Sequence, residues 1–366
     1  MKHGGDVYTE GILKGKELID FSSNINPLGV PKGFVDNLNE GILNLTRYPD
    51  LQYRQLRANL KEYINEVEIL FGNGDRSLEL VHEEDFILGN GAAEIIDLTI
   101  SSFKSIMIIT PSFGEYYESA EKWGVDIVCV SLNENMEYDY EAIAKNLDKV
   151  EAIIIGNPNN PNGGVIDKEK FLSIIEHCER EGKKIIIDEA FVEFTGRYEE
   201  SFIYELKYYK SIFIIRAITK FYAMPGIRFG YGICADREYI NKLKEKQNPW
   251  NINVFAELAV KYVLKDRKYI NESIEWIKLE REYLQGELKK LDIIEKTFDT
   301  QGNYILCKLK NIDCDRLYED SLERGIVIRK CNNYIGLNES YVRFAIKDRV
   351  NNNTLLKVLK NLIYNL

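Results

Sequence analysis

Positive charge is in short supply in this 366-residue chain: 48 Lys and Arg face 58 Asp and Glu, for a formal net charge of −10. A nucleic-acid surface needs clustered Lys and Arg, so the deficit argues against one, while a few local arginines still suffice to receive a small anion. Histidine is scarce, with three, and the six cysteines (Cys129, Cys178, Cys234, Cys307, Cys314, Cys331) include no close pair at metal-ligand spacing. No metal site is expected, and the thiols read as reduced in a cytoplasmic protein. No run of eighteen apolar residues occurs, which excludes a transmembrane helix and with it an expected membrane partner. Met1-Lys2-His3-Gly4-Gly5-Asp6 shows neither an apolar stretch nor a cleavage pattern, so no secretory signal is read there. Repeats, low-complexity tracts and Ser/Gly linkers are also missing, so any domain boundary must lie inside compact structure. The length suits about two domains at roughly 150 residues each.

What is present is an alternation of short β-branched runs with helical patterns. Strands are expected at Ile106 to Ile109, Ile127 to Val130, Ala152 to Ile155, Ile185 to Ile187 and Ile212 to Ile215, the texture of a mainly parallel sheet flanked by helices. Between two of them, Lys168 to Glu181 spaces Phe171, Ile174, Ile175 and Cys178 as a helix with one buried face. Phe229 to Cys234 follows with no preceding helix and need not run parallel. From Asn253 the texture turns helical, with Ile270, Ile274, Ile277, Leu284, Leu288 and Leu291 in a stripe. Strands at Tyr304 to Cys307, Val327 to Arg329 and Tyr341 to Ile346 then suggest a smaller α+β unit. The organisation expected is an N-terminal segment over 1–40 that packs on either unit, a large α/β domain over 41–252 and a small domain over 253–366.

Four segments carry chemistry. Ile212 to Ile215 runs into Arg216-Ala217-Ile218-Thr219-Lys220, and a Gly/Pro loop then closes on Arg228. That layout suits a lysine that binds pyridoxal 5′-phosphate. Asp188 ends the run Ile185-Ile186-Ile187, where a carboxylate would face a cationic ring nitrogen, each stabilising the other's charge. Asn157, in Asn157-Pro158-Asn159-Asn160-Pro161-Asn162-Gly163, is placed to donate to the ring oxygen from a turn shaped by the prolines. For the phosphate, Gly89-Asn90-Gly91-Ala92-Ala93-Glu94 passes from a strand into an apolar helix, offering free amides at a positive dipole end. Thr219 and Arg228 complete that site by charge-assisted bonds.

Together these residues resemble the fold-type I pyridoxal-phosphate enzymes of the aspartate-aminotransferase superfamily, in the histidinol-phosphate aminotransferase-like branch. Within it the chain is most similar to the L-threonine-O-3-phosphate decarboxylase subfamily of cobalamin biosynthesis. The segments that carry this are His3-Gly4-Gly5, Asp20 to Gly29, Thr219 to Gly226 and Arg329 to Leu337. The resemblance implies a large domain with a mainly parallel seven-stranded sheet plus a smaller α+β C-terminal domain. It implies Lys220 as the Schiff-base lysine, Asp188 on the pyridine nitrogen, Asn157 on the ring oxygen and Phe113 stacked on the ring. Tyr48 would reach the cofactor phosphate of a neighbouring subunit, making the protein a homodimer. Arg343 would clamp the substrate carboxylate, a planar fork on a planar anion. Arg329, with His3 and Asn26, would hold the substrate phosphate.

Phe191 stands where this branch commonly has a tyrosine, a change that fits the decarboxylases; Ala217 replaces a common hydroxyl residue, and Asn162 a threonine. Whichever Cα bond stands perpendicular to the ring is the one cleaved, so residue types alone leave decarboxylation of phosphothreonine, decarboxylation of phosphoserine and transamination of histidinol phosphate open. Two other classes fare worse. The run before Asp188-Glu189 is like the magnesium strand of P-loop NTPases, but Gly11 to Glu17 has the wrong spacing for their phosphate loop. No basic helix-turn-helix accompanies the fold, which weighs against a regulator.

Overall fold

The computed structural model describes residues 4–68 and 79–363, and His3 lies outside the described residues. Thirteen strands are found among the described residues: β1 (Ile19–Asp20), β2 (Phe86–Gly89), β3 (Ser105–Thr110), β4 (Asp126–Ser131), β5 (Ala152–Gly156), β6 (Lys184–Asp188), β7 (Ile212–Ala217), β8 (Gly230–Ile233), β9 (Ile294–Thr297), β10 (Tyr304–Leu309), β11 (Ile326–Val327), β12 (Arg329–Lys330) and β13 (Tyr341–Ala345). Seven of them form one sheet in the order β2-β8-β7-β6-β5-β3-β4. All neighbours are parallel except β8, which runs antiparallel to both β7 and β2. The run without a preceding helix is thus the reversed strand.

Period-2 side-chain alternation splits the isoleucine-rich strands between two cores. Ile106, Ile108, Ile154, Ile186 and Ile215 face one layer of helices, and Met107, Ile109, Ile153, Ile155, Ile185, Ile187 and Ile214 face the other. The helix Lys168–Glu181 buries Phe171, Ile174, Ile175 and Cys178, the face read from its spacing, and Asp167 caps its start. Edge strand β4 is only partly covered, which leaves Cys129 exposed while the other five cysteines are buried.

The smaller sheet is antiparallel, in the order β12-β13-β10-β9, and β1 pairs with β11 in a separate two-stranded ribbon. The single strand expected from Val327 to Arg329 is therefore split at Ile328, with its halves in different sheets. The helical stripe lies on Arg267–Leu288, and Leu291, the last of its expected members, is buried just beyond the helix end. The N-terminal segment packs on both parts rather than on either. The Phe21 amide donates to the Val327 carbonyl at 2.8 Å and the Asn26 amide to the Lys220 carbonyl at 3.2 Å. No helix of the described residues is long and apolar enough to cross a membrane.

Candidate active site

Strands β2, β3, β5, β6 and β7 all end on one edge of the large sheet, where an open α/β sheet offers a crevice. A cavity of about 470 Å³ lies there. Among its lining residues are Ala92, Ala93, Phe113, Asp188, Thr219, Lys220, Arg228, Arg329 and Arg343, nine of the residues picked out in the sequence.

Asp188 closes β6, buried, and both of its oxygens are held. The Tyr116 hydroxyl donates to Oδ2 at 2.6 Å and the Ala190 amide to Oδ1 at 3.0 Å. Burial pushes this carboxyl above the ordinary aspartate range, and the two hydrogen bonds pull it back. Next to it, Glu189 and Arg216 form a fully buried pair at 2.9 Å, with the Ser201 hydroxyl and the Phe202 amide also donating to the carboxylate. That pair ties the end of β6 to β7, so the strand carrying Asp188 and the strand leading to Lys220 share one rigid frame.

Lys220 follows β7 by three residues, and its pKa is lowered to about 8, first by burial and then by the charges of Arg343 and Arg228. The shift brings the neutral, nucleophilic amine closer to physiological pH than in an ordinary lysine. The loop after it returns through two non-glycine residues in left-handed backbone, Ala223 and Arg228. That turn lays the Arg228 guanidinium against Gly91, where an added Cβ would sit 2.5 Å from Nη2. Gly230 likewise allows β8 to approach Ala92 at the start of the helix Ala92–Ile100. The result is a cradle of helix amides, positive dipole and arginine built for an anion. An anion cradle for its phosphate, a ring-facing carboxylate and an imine-forming amine are what pyridoxal phosphate asks for, and these residues fit it.

Opposite the cradle, Arg329 and Arg343 are direct cross-strand partners on β12 and β13, 5 % and 4 % exposed. The Arg343 guanidinium donates to the Ser22 carbonyl at 2.8 Å, to Asn160 Oδ1 and to the Tyr334 hydroxyl at 3.3 Å. Its buried Nε has no hydrogen-bond partner among the described residues. Arg329 donates to Asn333 Oδ1 at 2.9 Å and lies over the Tyr334 ring.

Two expected residues, Asn157 and Asn26, stand outside the cavity lining. Asn157 does not line the cavity: its amide donates to the Glu200 carbonyl at 2.8 Å and its Oδ1 accepts from the Ile166 amide, so it braces the turn. Asn160, three residues on, is the asparagine of that turn that lines the cavity. Asn26 is also outside the lining, its amide spent on the Phe221 carbonyl and Ser273 Oγ, both at 2.8 Å. Tyr48, expected to serve the site of a neighbouring subunit, is 80 % exposed, its ring 4.8 Å from that of Trp250. Sequence reading also passed over Tyr116, Asn160, Asn333 and Tyr334. Tyr116 had a usable signal, one helical turn after Phe113 and ring to ring with it at 5.8 Å; Asn333 and Tyr334 lay in a segment quoted for resemblance but given no role.

Comparison with known proteins widens the picture. Residues 16–360 match the family model for aminotransferase class I and II. The threonine-phosphate decarboxylase of Salmonella typhimurium is 31% identical, over 99% of this chain and 96% of that protein. The histidinol-phosphate aminotransferase of Methanosphaera stadtmanae is 26% identical, over 96% of this chain and 92% of its own. The crystal structure of the histidinol-phosphate aminotransferase from Clostridium acetobutylicum superposes with a TM-score of 0.89 at 51% identity, covering 95% of this chain and all of that one.

Proposed function

Since the chain belongs to the aminotransferase class I and II family, a pyridoxal-phosphate-dependent family, we propose that it decarboxylates L-threonine O-3-phosphate to (R)-1-amino-2-propanol O-2-phosphate, a step of cobalamin biosynthesis. The observation that carries this reading is the opposed pair Arg329 and Arg343 on the cavity wall. Like charges directly opposite on a sheet repel, and burial strengthens the repulsion. A substrate with a carboxylate and a phosphate would neutralise both at once. Phe191, which also lines the cavity, and the Salmonella relative support the same choice.

Pyridoxal phosphate supplies, when bound, an electrophilic carbon for the substrate amine and a conjugated ring that takes up the electron pair of a breaking Cα bond. The chain's own residues do the rest. The amides of Ala92 and Ala93, with Thr219 and Arg228, would receive the cofactor phosphate; Phe113 and Asn160 would contact the ring, and Asp188 would keep a proton on its nitrogen. Arg343 takes the substrate carboxylate in its planar fork and Arg329 takes the phosphate. Held at both ends, the substrate would have the bond to its carboxylate fixed in orientation for loss of CO₂, and Lys220 would stand where a proton can be returned to Cα.

The protein would act as a cytoplasmic homodimer. Ile42, Leu43, Leu45, Tyr48 and Leu51 are all exposed within one short stretch of chain, as suits contact with a second copy, whose Tyr48 would reach across to the cofactor phosphate.

A second reading, transamination of histidinol phosphate, is favoured by the 51% identity to the clostridial structure. One experiment separates the two: mass spectrometry of holoenzyme incubated with O-phospho-L-threonine and no keto acid. Aminopropanol phosphate accumulating over many turnovers supports the decarboxylase, because transamination without an acceptor stops after one. Unchanged phosphothreonine, with turnover of histidinol phosphate and 2-oxoglutarate, overturns it.

A further inference from the structure

The hairpin joining β12 to β13 folds Tyr334 back between the two arginines that those strands carry. Its backbone is pinned, the amide donating to the Cys331 carbonyl at 3.1 Å and the carbonyl accepting from the Leu337 amide at 3.0 Å. Its side chain is 7 % exposed and uses its two ends differently. The ring face receives the Arg329 guanidinium, 5.0 Å from the centroid. The hydroxyl accepts from Arg343 Nη1 at 3.3 Å and donates to Asn160 Oδ1 at 3.1 Å. Asn160 in turn accepts from Arg343, so hydroxyl and amide close a triangle on one guanidinium.

We propose that Tyr334 is a positioning residue that sets the spacing of Arg329 and Arg343 and so selects substrates carrying two anionic groups. The inference rests on the reading that these two arginines hold substrate. Two guanidiniums directly opposed on a sheet separate unless something attractive lies between them. A π face attracts one cation and a phenol oxygen attracts the other, so one aromatic residue holds both at a fixed distance. An aliphatic residue offers neither attraction, and phenylalanine offers only the first. The two functions are therefore separable by substitution.

The test uses holoenzyme of the wild type, Tyr334→Phe and Tyr334→Leu, read by the change in bound-cofactor absorbance on rapid mixing, before turnover. Three amines are compared: O-phospho-L-threonine with both anions, L-threonine with the carboxylate alone, and O-phosphoethanolamine with the phosphate alone. Tyr334→Phe is expected to weaken phosphothreonine and threonine about tenfold, the worth of one hydrogen bond to a charged group, and to leave phosphoethanolamine unchanged. Tyr334→Leu is expected to weaken all three. Equal weakening of all three by Tyr334→Phe, or no weakening of any, overturns the proposal. Thermal melting and cofactor content check folding, and if Tyr334→Leu does not fold the phenylalanine variant decides alone. Wild-type enzyme that binds phosphothreonine no more tightly than phosphoethanolamine refutes the two-anion reading and this inference with it. Wild-type enzyme that binds it tightest yet releases no CO₂ refutes the reaction and leaves the role of Tyr334 standing.

Discussion

On one wall of the cavity the working side chains follow from strand ends: Asp188 closes β6, and Thr219 and Lys220 come two and three residues after β7. Buried parallel strands fix those positions, and the Glu189–Arg216 pair locks the two strands together. On the facing wall Arg329 and Arg343 also sit on strands, but their aim depends on distant chain. Arg343 is held by Ser22 and Asn160, 321 and 183 residues away in sequence. The first wall is made by local backbone and the second by tertiary hydrogen bonds. A site divided this way can keep one cofactor while its substrate end is changed by loops.

The sharpest break on the cofactor wall is Lys220→Ala, expected to cut turnover by roughly 10⁴-fold or more and to abolish the bound-cofactor absorbance. Retained full activity would end the assignment.

Arg216→Met probes the frame rather than the chemistry. Leaving Glu189 charged and buried is expected to cost about 3–5 kcal/mol in denaturant unfolding, and adding Glu189→Leu should recover part of that loss. A single variant as stable as wild type would mean that the frame does not depend on the pair.

On the substrate wall, Arg343→Lys keeps the charge and loses the fork. KM for the amino-acid substrate should rise on the order of 10- to 100-fold with melting unchanged, since one to two charge-assisted bonds are lost. A parallel loss of melting temperature would show instead that the residue holds the small sheet together.

Tyr116→Phe removes a hydrogen bond to the charged form of Asp188, with cofactor retention expected to weaken about tenfold. The sign with pH follows from the bond. Its loss raises an aspartate pKa already raised by burial. As pH falls, release of cofactor should therefore begin at a higher pH than in the wild type.

The smallest effect is a shift along the pH axis. Acylation of Lys220 in cofactor-free protein should reach half its maximum near pH 8, the value to which burial and the two arginines lower it. Between about 8 and 10.5 the unfolded chain holds a proton here that the folded chain does not, so the contribution of this group to stability rises as pH rises. Half-labelling near the ordinary lysine value of about 10.4 would contradict the burial argument.

Legibility divides along the same line. The strands from Ile106 to Ile215, the helix Lys168–Glu181 and its buried face, and Asp188, Lys220 and Arg228 could be read directly because hydrophobic period and strand ends are local properties. Asn157 and Asn160 show where local reading stops. Both lie in one Asn/Pro turn, and either suits a ring oxygen by residue type. Only the packed structure turns Asn157 onto the Glu200 carbonyl and Asn160 toward Arg343. Asn26 is likewise placed by distant chain, its amide bonded to the Phe221 carbonyl and Ser273 Oγ.

By itself, then, the sequence determined the isoleucine-rich parallel sheet, the lysine and aspartate at its edge, and the glycine-led helix start that opens on the cavity. Each depends on spacing within a few residues, where backbone geometry leaves little choice. Tertiary structure alone decided that the stretch through Ile328 divides between two sheets, that Tyr116 grips Asp188, and that Arg329 and Arg343 face each other across Tyr334. Those are meetings of residues far apart in the chain, and only packing and the pairing of buried polar groups select among them.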